Sequence, residues 1–117
     1  DPTIQQDPYA YYAALREQAP VYRMPDTGAY VVSRYRDIQH VVAHQANKRI
    51  LSAVLDRIGV PESKCFFNLE KYGNTSSASV PMTLDEINRA GKLKEGDNVL
   101  MMAIGGGMAW GSALVRW

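Results

Sequence analysis

Apolar residues recur along the chain with two different periods, and the changes of period mark its elements. From Tyr9 to Gln18 the run is alanine-rich with Tyr11, Tyr12 and Leu15 at helical spacing, which predicts a first helix. Asp7-Pro8 supplies a cap and a proline suited to the first helical position, and Pro20 stops the helix. Val21 to Arg23 and Ala29 to Arg34 are short β-prone runs around Pro25-Asp26-Thr27-Gly28, the residue order of a hairpin loop. Asp37 is then placed to cap a further helix carrying Ile38, Val41 and Val42 on one face.

Past Ala43-His44 the character changes. His44-Gln45-Ala46-Asn47 leads into Ile50, Leu51, Val54, Leu55 and Ile58 at helical spacing, closed by Gly59 and Pro61. At ~100° per residue these positions centre about half a turn from Ile38, Val41 and Val42. A helix through this junction therefore either breaks near His44 or is covered on both sides. Cys65 to Leu69 reads as an apolar strand, and Tyr72 to Pro81 as a tight turn launching a helix near Ala78. Gly73 permits positive φ there, and Pro81 falls in the first turn, where a missing N–H leaves nothing unpaired. Val80, Leu84 and Ile87 mark the inner face of that helix, which ends near Gly91. Asn98 to Ile104 is apolar enough for a strand covered on both faces, and after Gly105-Gly106-Gly107 a last strand, Trp110 to Trp117, returns antiparallel. A right-handed crossover joins the first two of these strands in parallel. The pattern gives a mixed α/β (α+β) unit of βαββ type preceded by a helix-hairpin-helix segment.

With 117 residues the chain suits one core. The net charge of +1, from 13 basic and 12 acidic residues, provides no field favouring nucleic acid or an anionic membrane. No apolar run approaches the ~18 residues of a membrane span, and the N-terminus lacks a signal core, so a cytoplasmic protein is expected. One cysteine excludes an internal disulfide framework and a thiolate zinc cage, and no metal site is expected.

Taken singly, the residues with chemical capacity are ambiguous. His44 suits a helix surface or a partly buried site as well as a catalytic one, and Asn74 suits a turn cap as well as a donor. The triple glycine lacks the Lys-Ser/Thr of a phosphate loop. Lys48 and Arg49 read as a solvated face, and Cys65 as an inert core residue.

Two resemblances change the weighting. The run from Asp7 to Val42, with Asp7-Pro8-Tyr9, Pro20-Val21-Tyr22-Arg23, Asp26-Thr27-Gly28 and Tyr30-Val31-Val32-Ser33-Arg34-Tyr35, resembles the N-terminal segment of bacterial heme-thiolate cytochrome monooxygenases. That family ligates heme through a cysteine in a downstream glycine-rich loop, and Lys64-Cys65-Phe66-Phe67-Asn68 does not fit it, so no heme is expected. From His44 to Trp117 the chain resembles the C-terminal part of a beta-ketoacyl-acyl carrier protein synthase III, a condensing enzyme of the thiolase fold. His44-Gln45-Ala46-Asn47, Tyr72-Gly73-Asn74-Thr75-Ser76, Ala78-Ser79, Leu84-Asp85-Glu86, Gly105-Gly106-Gly107 and Trp110-Gly111-Ser112-Ala113 carry it. The two meet near residue 43, which reads as a chimera of segments 1–43 and 44–117 folding as one unit.

The second resemblance implies roles. A decarboxylating condensation builds charge on a thioester oxygen, and fixed N–H donors aimed at it lower the barrier by a few kcal/mol each, as an order of magnitude. His44 through Nε2–H and Asn74 through its amide would be those donors, with the Gly106 backbone N–H in a second oxyanion site. Asn47 and Arg49 would face the coenzyme A or acyl-carrier side. The family's nucleophilic cysteine has no counterpart here, since Cys65 matches a structural position, so acyl transfer cannot begin on this chain alone. The expectation is a chimera without a complete active site. The alternative is a fatty-acid-biosynthesis remnant that binds or decarboxylates malonyl thioesters, or works beside a chain supplying the thiol. An exposed sheet edge or face further implies a homo-oligomer.

Overall fold

The computed structural model describes residues 9–28 and 30–117, which form two compact units divided between Asp37 and Ile38. The division falls ahead of the boundary at 43 read from the sequence. The Asp7-Pro8 cap lies outside the described residues.

In the first unit, helix α1 (Tyr9–Gln18) buries Leu15, whose carbonyl takes the Ala19 N–H at 3.0 Å as the helix ends before Pro20. Strands β1 (Val21–Arg23) and β2 (Tyr30–Val32) pair antiparallel, with Val21 opposite Val32. Gly28 turns the loop at φ 71° while its N–H donates to Met24 O at 2.9 Å. The expected hairpin is present.

The second unit opens differently from expectation. Asp37 lies in a 3-10 turn, Tyr35–Asp37, and caps no helix; the chain passes instead into strand β3 (His40–Ala43). Val41 and Val42 are both fully buried although they point to opposite faces, which a strand covered on two sides permits and a one-faced helix does not. With no helix at 38–43, the question of a break at His44 disappears. β3 runs parallel to β4 (Asn98–Gly105), His40 opposite Val99 and Ala43 opposite Met102, and β4 pairs antiparallel with β5 (Ala109–Arg116) in the order β3-β4-β5.

Between the parallel strands the chain forms helices. α2 (Lys48–Ile58) begins where the Asn47 side chain accepts the Arg49 N–H at 2.8 Å and ends at Gly59, φ 70°. Cys65–Leu69 is not a strand. It contributes a single parallel bridge, Cys65 to Val41, because the Gln45 side chain takes the Phe66 carbonyl and the Asn68 N–H that a longer ladder would use. The parallel partner of β4 is therefore β3. A short helix α3 (Leu69–Tyr72) and a 3-10 turn (Ser76–Ala78) lead into α4 (Ser79–Arg89), with Pro81 in its first turn.

α4 packs on the face of the sheet that presents Val42 and Val99; Ile87 and Leu93 join them, flanked by Phe66, Val80, Leu84 and Met101. On the other face Ala43, Met102 and Ile104 share a cavity wall with Leu51 and Val54 of α2. The helices cover only the start of β4: Asn98 and Val99 are buried, whereas Ala103, Ile104 and Gly105 are exposed. Full cover of that strand was expected, and the apolar run instead continues past the layer the helices provide.

Candidate functional site

His44 stands at the C-terminal end of β3, where its N–H donates to Met102 O at 2.8 Å and extends the sheet by one bond. The next residue anchors it: fully buried Gln45 donates through Nε2 to Ala43 O (3.0 Å) and Phe66 O (3.1 Å), and its Oε1 accepts the Asn68 N–H (3.2 Å). The half-buried His44 ring is held from one side, Nδ1 lying 3.1 Å from Ser79 Oγ, which lies 3.1 Å from Thr75 Oγ1. Nε2 has no hydrogen-bond partner among the described residues. His44 lines two cavities, an apolar one of about 290 Å³ against α2 and one of about 360 Å³ shared with Ser76, Ser77, Gly105 and Trp110.

Asn74 sits in the turn before α4. Its Oδ1 accepts the Ser76 N–H at 2.9 Å, closing an Asx turn with Gly73 at φ 69° and Ser76 at φ 55°. The carbonyl end is thereby occupied and the amide N–H groups remain to donate. Gly106 lies at the tip of the β4–β5 hairpin, followed by Gly107 at φ 72° and Met108 at φ 59°. Of these three predicted site residues only His44 lines the larger of the two cavities; Asn74 and Gly106 are not among its lining residues, although Ser76, two positions after Asn74, and Gly105, next to Gly106, are. Asn47 and Arg49 do not join them. They line a separate shallow depression with Ile50 and Ala53, and Asn47 is occupied as the cap of α2.

The other reactive groups are committed elsewhere. Burial, with the Glu62 carboxylate adding to it, pushes the Cys65 thiol up to about 11, so it carries almost no thiolate near neutrality. The Lys71 ammonium and an Asn68 amide hold Glu86 below the usual carboxylate range. His40 meets Asp97 at 3.0 Å. Among the described residues no group of three or more His, Cys, Asp and Glu is placed to hold a metal, and no helix is long and apolar enough to cross a membrane. Ser79 and Gln45 are the site residues that sequence reasoning gave no role. Each acts through a partner distant in the chain, and only the order Ser79-Val80-Pro81, a hydroxyl at a helix start, hinted at the first.

Residues 33–117 match the family model for the C-terminal part of 3-oxoacyl-[acyl-carrier-protein (ACP)] synthase III. A beta-ketoacyl-[acyl-carrier-protein] synthase III of Rhodopirellula baltica is 58% identical over 77 residues, 66% of this chain and 22% of that protein. The Aquifex aeolicus counterpart is 47% identical over 81 residues, covering 69% and 26%. The crystal structure of 3-oxoacyl-[acyl-carrier-protein] synthase III from Aquifex aeolicus superposes with a TM-score of 0.70 at 45% identity, over 72% of this chain and 27% of that one. The Thermus thermophilus enzyme gives a TM-score of 0.69 at 34% identity, over 96% and 34%. The chain thus spans about a quarter of the length of the curated relatives it matches. β3 falls inside the matched residues, which begin before the His44 start read from the sequence.

Proposed function

The chain belongs to the 3-oxoacyl-[acyl-carrier-protein] synthase III family through its C-terminal domain, and from that premise we propose that it carries the oxyanion half of a condensing site for malonyl thioesters. His44 and Asn74 are the paired donors in this reading. The observation that carries it is His44, tethered through Nδ1 while Nε2 has no partner among the described residues, on the wall of a cavity that Ser76, Ser77 and Gly105 also line. When a malonyl thioester loses carbon dioxide, charge collects on the thioester oxygen. Donors already held in place stabilise it without reorganising at the moment of reaction. The Gly106 N–H serves a neighbouring acyl-transfer oxyanion, and coenzyme A or an acyl carrier protein presents the thioester.

The attacking thiol is not within these residues. Cys65 is the one cysteine, buried and held protonated, so condensation calls for a thiolate from a further portion of the enzyme or from a partner chain. The chain alone therefore decarboxylates malonyl thioesters weakly or only binds them, working in the cytoplasm. Asn47 and Arg49 belong to this proposal as outlying contacts for the coenzyme A or carrier side. The likeness of the first unit to heme-thiolate monooxygenases enters it as a joined segment that brings no heme, since a buried, protonated thiol is a poor axial ligand.

Titration of malonyl-coenzyme A against the chain, with His44→Ala and Asn74→Ala beside it, tests the assignment. Saturable binding or carbon dioxide release lost in both variants is expected; a response that survives both removes the two donors from the reading.

A further inference from the structure

We infer that Ser79 is a positioning residue which fixes His44 as its Nε2–H tautomer, with Thr75 as the second hydroxyl in the relay. The inference rests on the reading of His44 as a donor, but the geometry that carries it is independent of any substrate. A neutral imidazole donates from one nitrogen and accepts at the other, so the partner at Nδ1 decides which proton the far nitrogen carries. That partner is Ser79 Oγ at 3.1 Å, from a serine only 1% exposed. The hydroxyl has one proton and two neighbours, the ring and Thr75 Oγ1 at 3.1 Å, so it donates to at most one of them and the sense of the bonds needs a further cause.

Helix α4 sets that sense. Ser79 is its first residue, and helical side chains lean toward the N-terminus, the positive end of the aligned peptide dipoles. A lone pair facing that end is favoured over an N–H facing it. Nδ1 therefore accepts from Ser79, Ser79 accepts from Thr75, and Nε2 keeps its hydrogen. The Ser79 carbonyl takes the Thr83 hydroxyl at 2.8 Å, which holds the same turn of helix in place. The relay ties the tautomer of a loop histidine to the start of a helix 35 residues on.

Long-range proton–nitrogen NMR spectra of the full chain read this directly, at about pH 8.5 where imidazoles are ordinarily neutral. His40→Gln identifies the other ring. Wild type is expected to show His44 as Nε2–H. Ser79→Ala shifts the tautomer ratio toward Nδ1–H by about fivefold, the factor one net hydrogen bond carries, Thr75→Val shifts it less, and Thr75→Ser leaves it unchanged. Amide spectra check that each variant is folded. A wild-type Nδ1–H tautomer, or a ratio untouched by Ser79→Ala, overturns the inference; if Ser79→Ala does not fold, an unchanged ratio in Thr75→Val does so. An expected tautomer without malonyl-coenzyme A binding would count against the proposed function and leave this relay standing.

Discussion

Cys65 shows what one buried group does to the whole. Its thiol keeps its proton up to about 11 when folded, against an ordinary value of 9.0. The folded state therefore binds a proton that the unfolded chain has released, and stability falls with rising pH across that interval. This contribution is complete below the lower value and lost as pH passes the upper one. Thermal unfolding midpoints are expected to drop more steeply there for wild type than for Cys65→Ala; parallel curves would show that the thiol is not held. The same environment makes Cys65 slow to react with thiol reagents near neutrality. His44 and Asn74 stood out in the sequence because their order matched a known series. Ser79 and Gln45 lie in the same series but drew no role from it, since a hydroxyl or amide has no meaning until the fold supplies its partner.

At the scale of elements, caps and glycines carry separable effects. Asn47→Ala removes the cap of α2 and is expected to cost about 1 kcal/mol in denaturant unfolding. If malonyl-coenzyme A affinity holds while the midpoint falls, Asn47 serves the helix alone. In the hairpin, a Cβ on Gly106 meets nothing within 4 Å, whereas Gly107 sits at φ 72°. Gly107→Ala should therefore destabilise by about 1 kcal/mol and Gly106→Ala by much less, a difference that thermal melts resolve. The elements with strong periodicity and explicit stops were legible: α1, the β1–β2 hairpin, α2, α4 and the β4–β5 hairpin. β3 was not. Ile38, Val41 and Val42 fit both a helical face and a doubly covered strand, and only pairing with β4 separates the two. Cys65–Leu69 failed in the opposite way, β-prone by composition but with its backbone groups claimed by Gln45.

For the molecule as a whole, the uncovered end of the second unit dominates. Ile104, Met108 and Trp110 are 55%, 91% and 80% exposed on one hairpin, and β5 is an edge strand. Apolar side chains beside unpaired backbone groups favour association. Sedimentation velocity is expected to show concentration-dependent self-association, weakened in Trp110→Lys; a monodisperse monomer at all concentrations would refute it. The Gln45 seat has a consequence of another kind. Its nitrogen faces two carbonyls and its oxygen one N–H, so the interior distinguishes the two ends of an amide. A glutamate of equal size would set its oxygens against those carbonyls. The change Gln45→Glu would thus unfasten the residue that follows the imidazole, although it alters a single atom of the side chain.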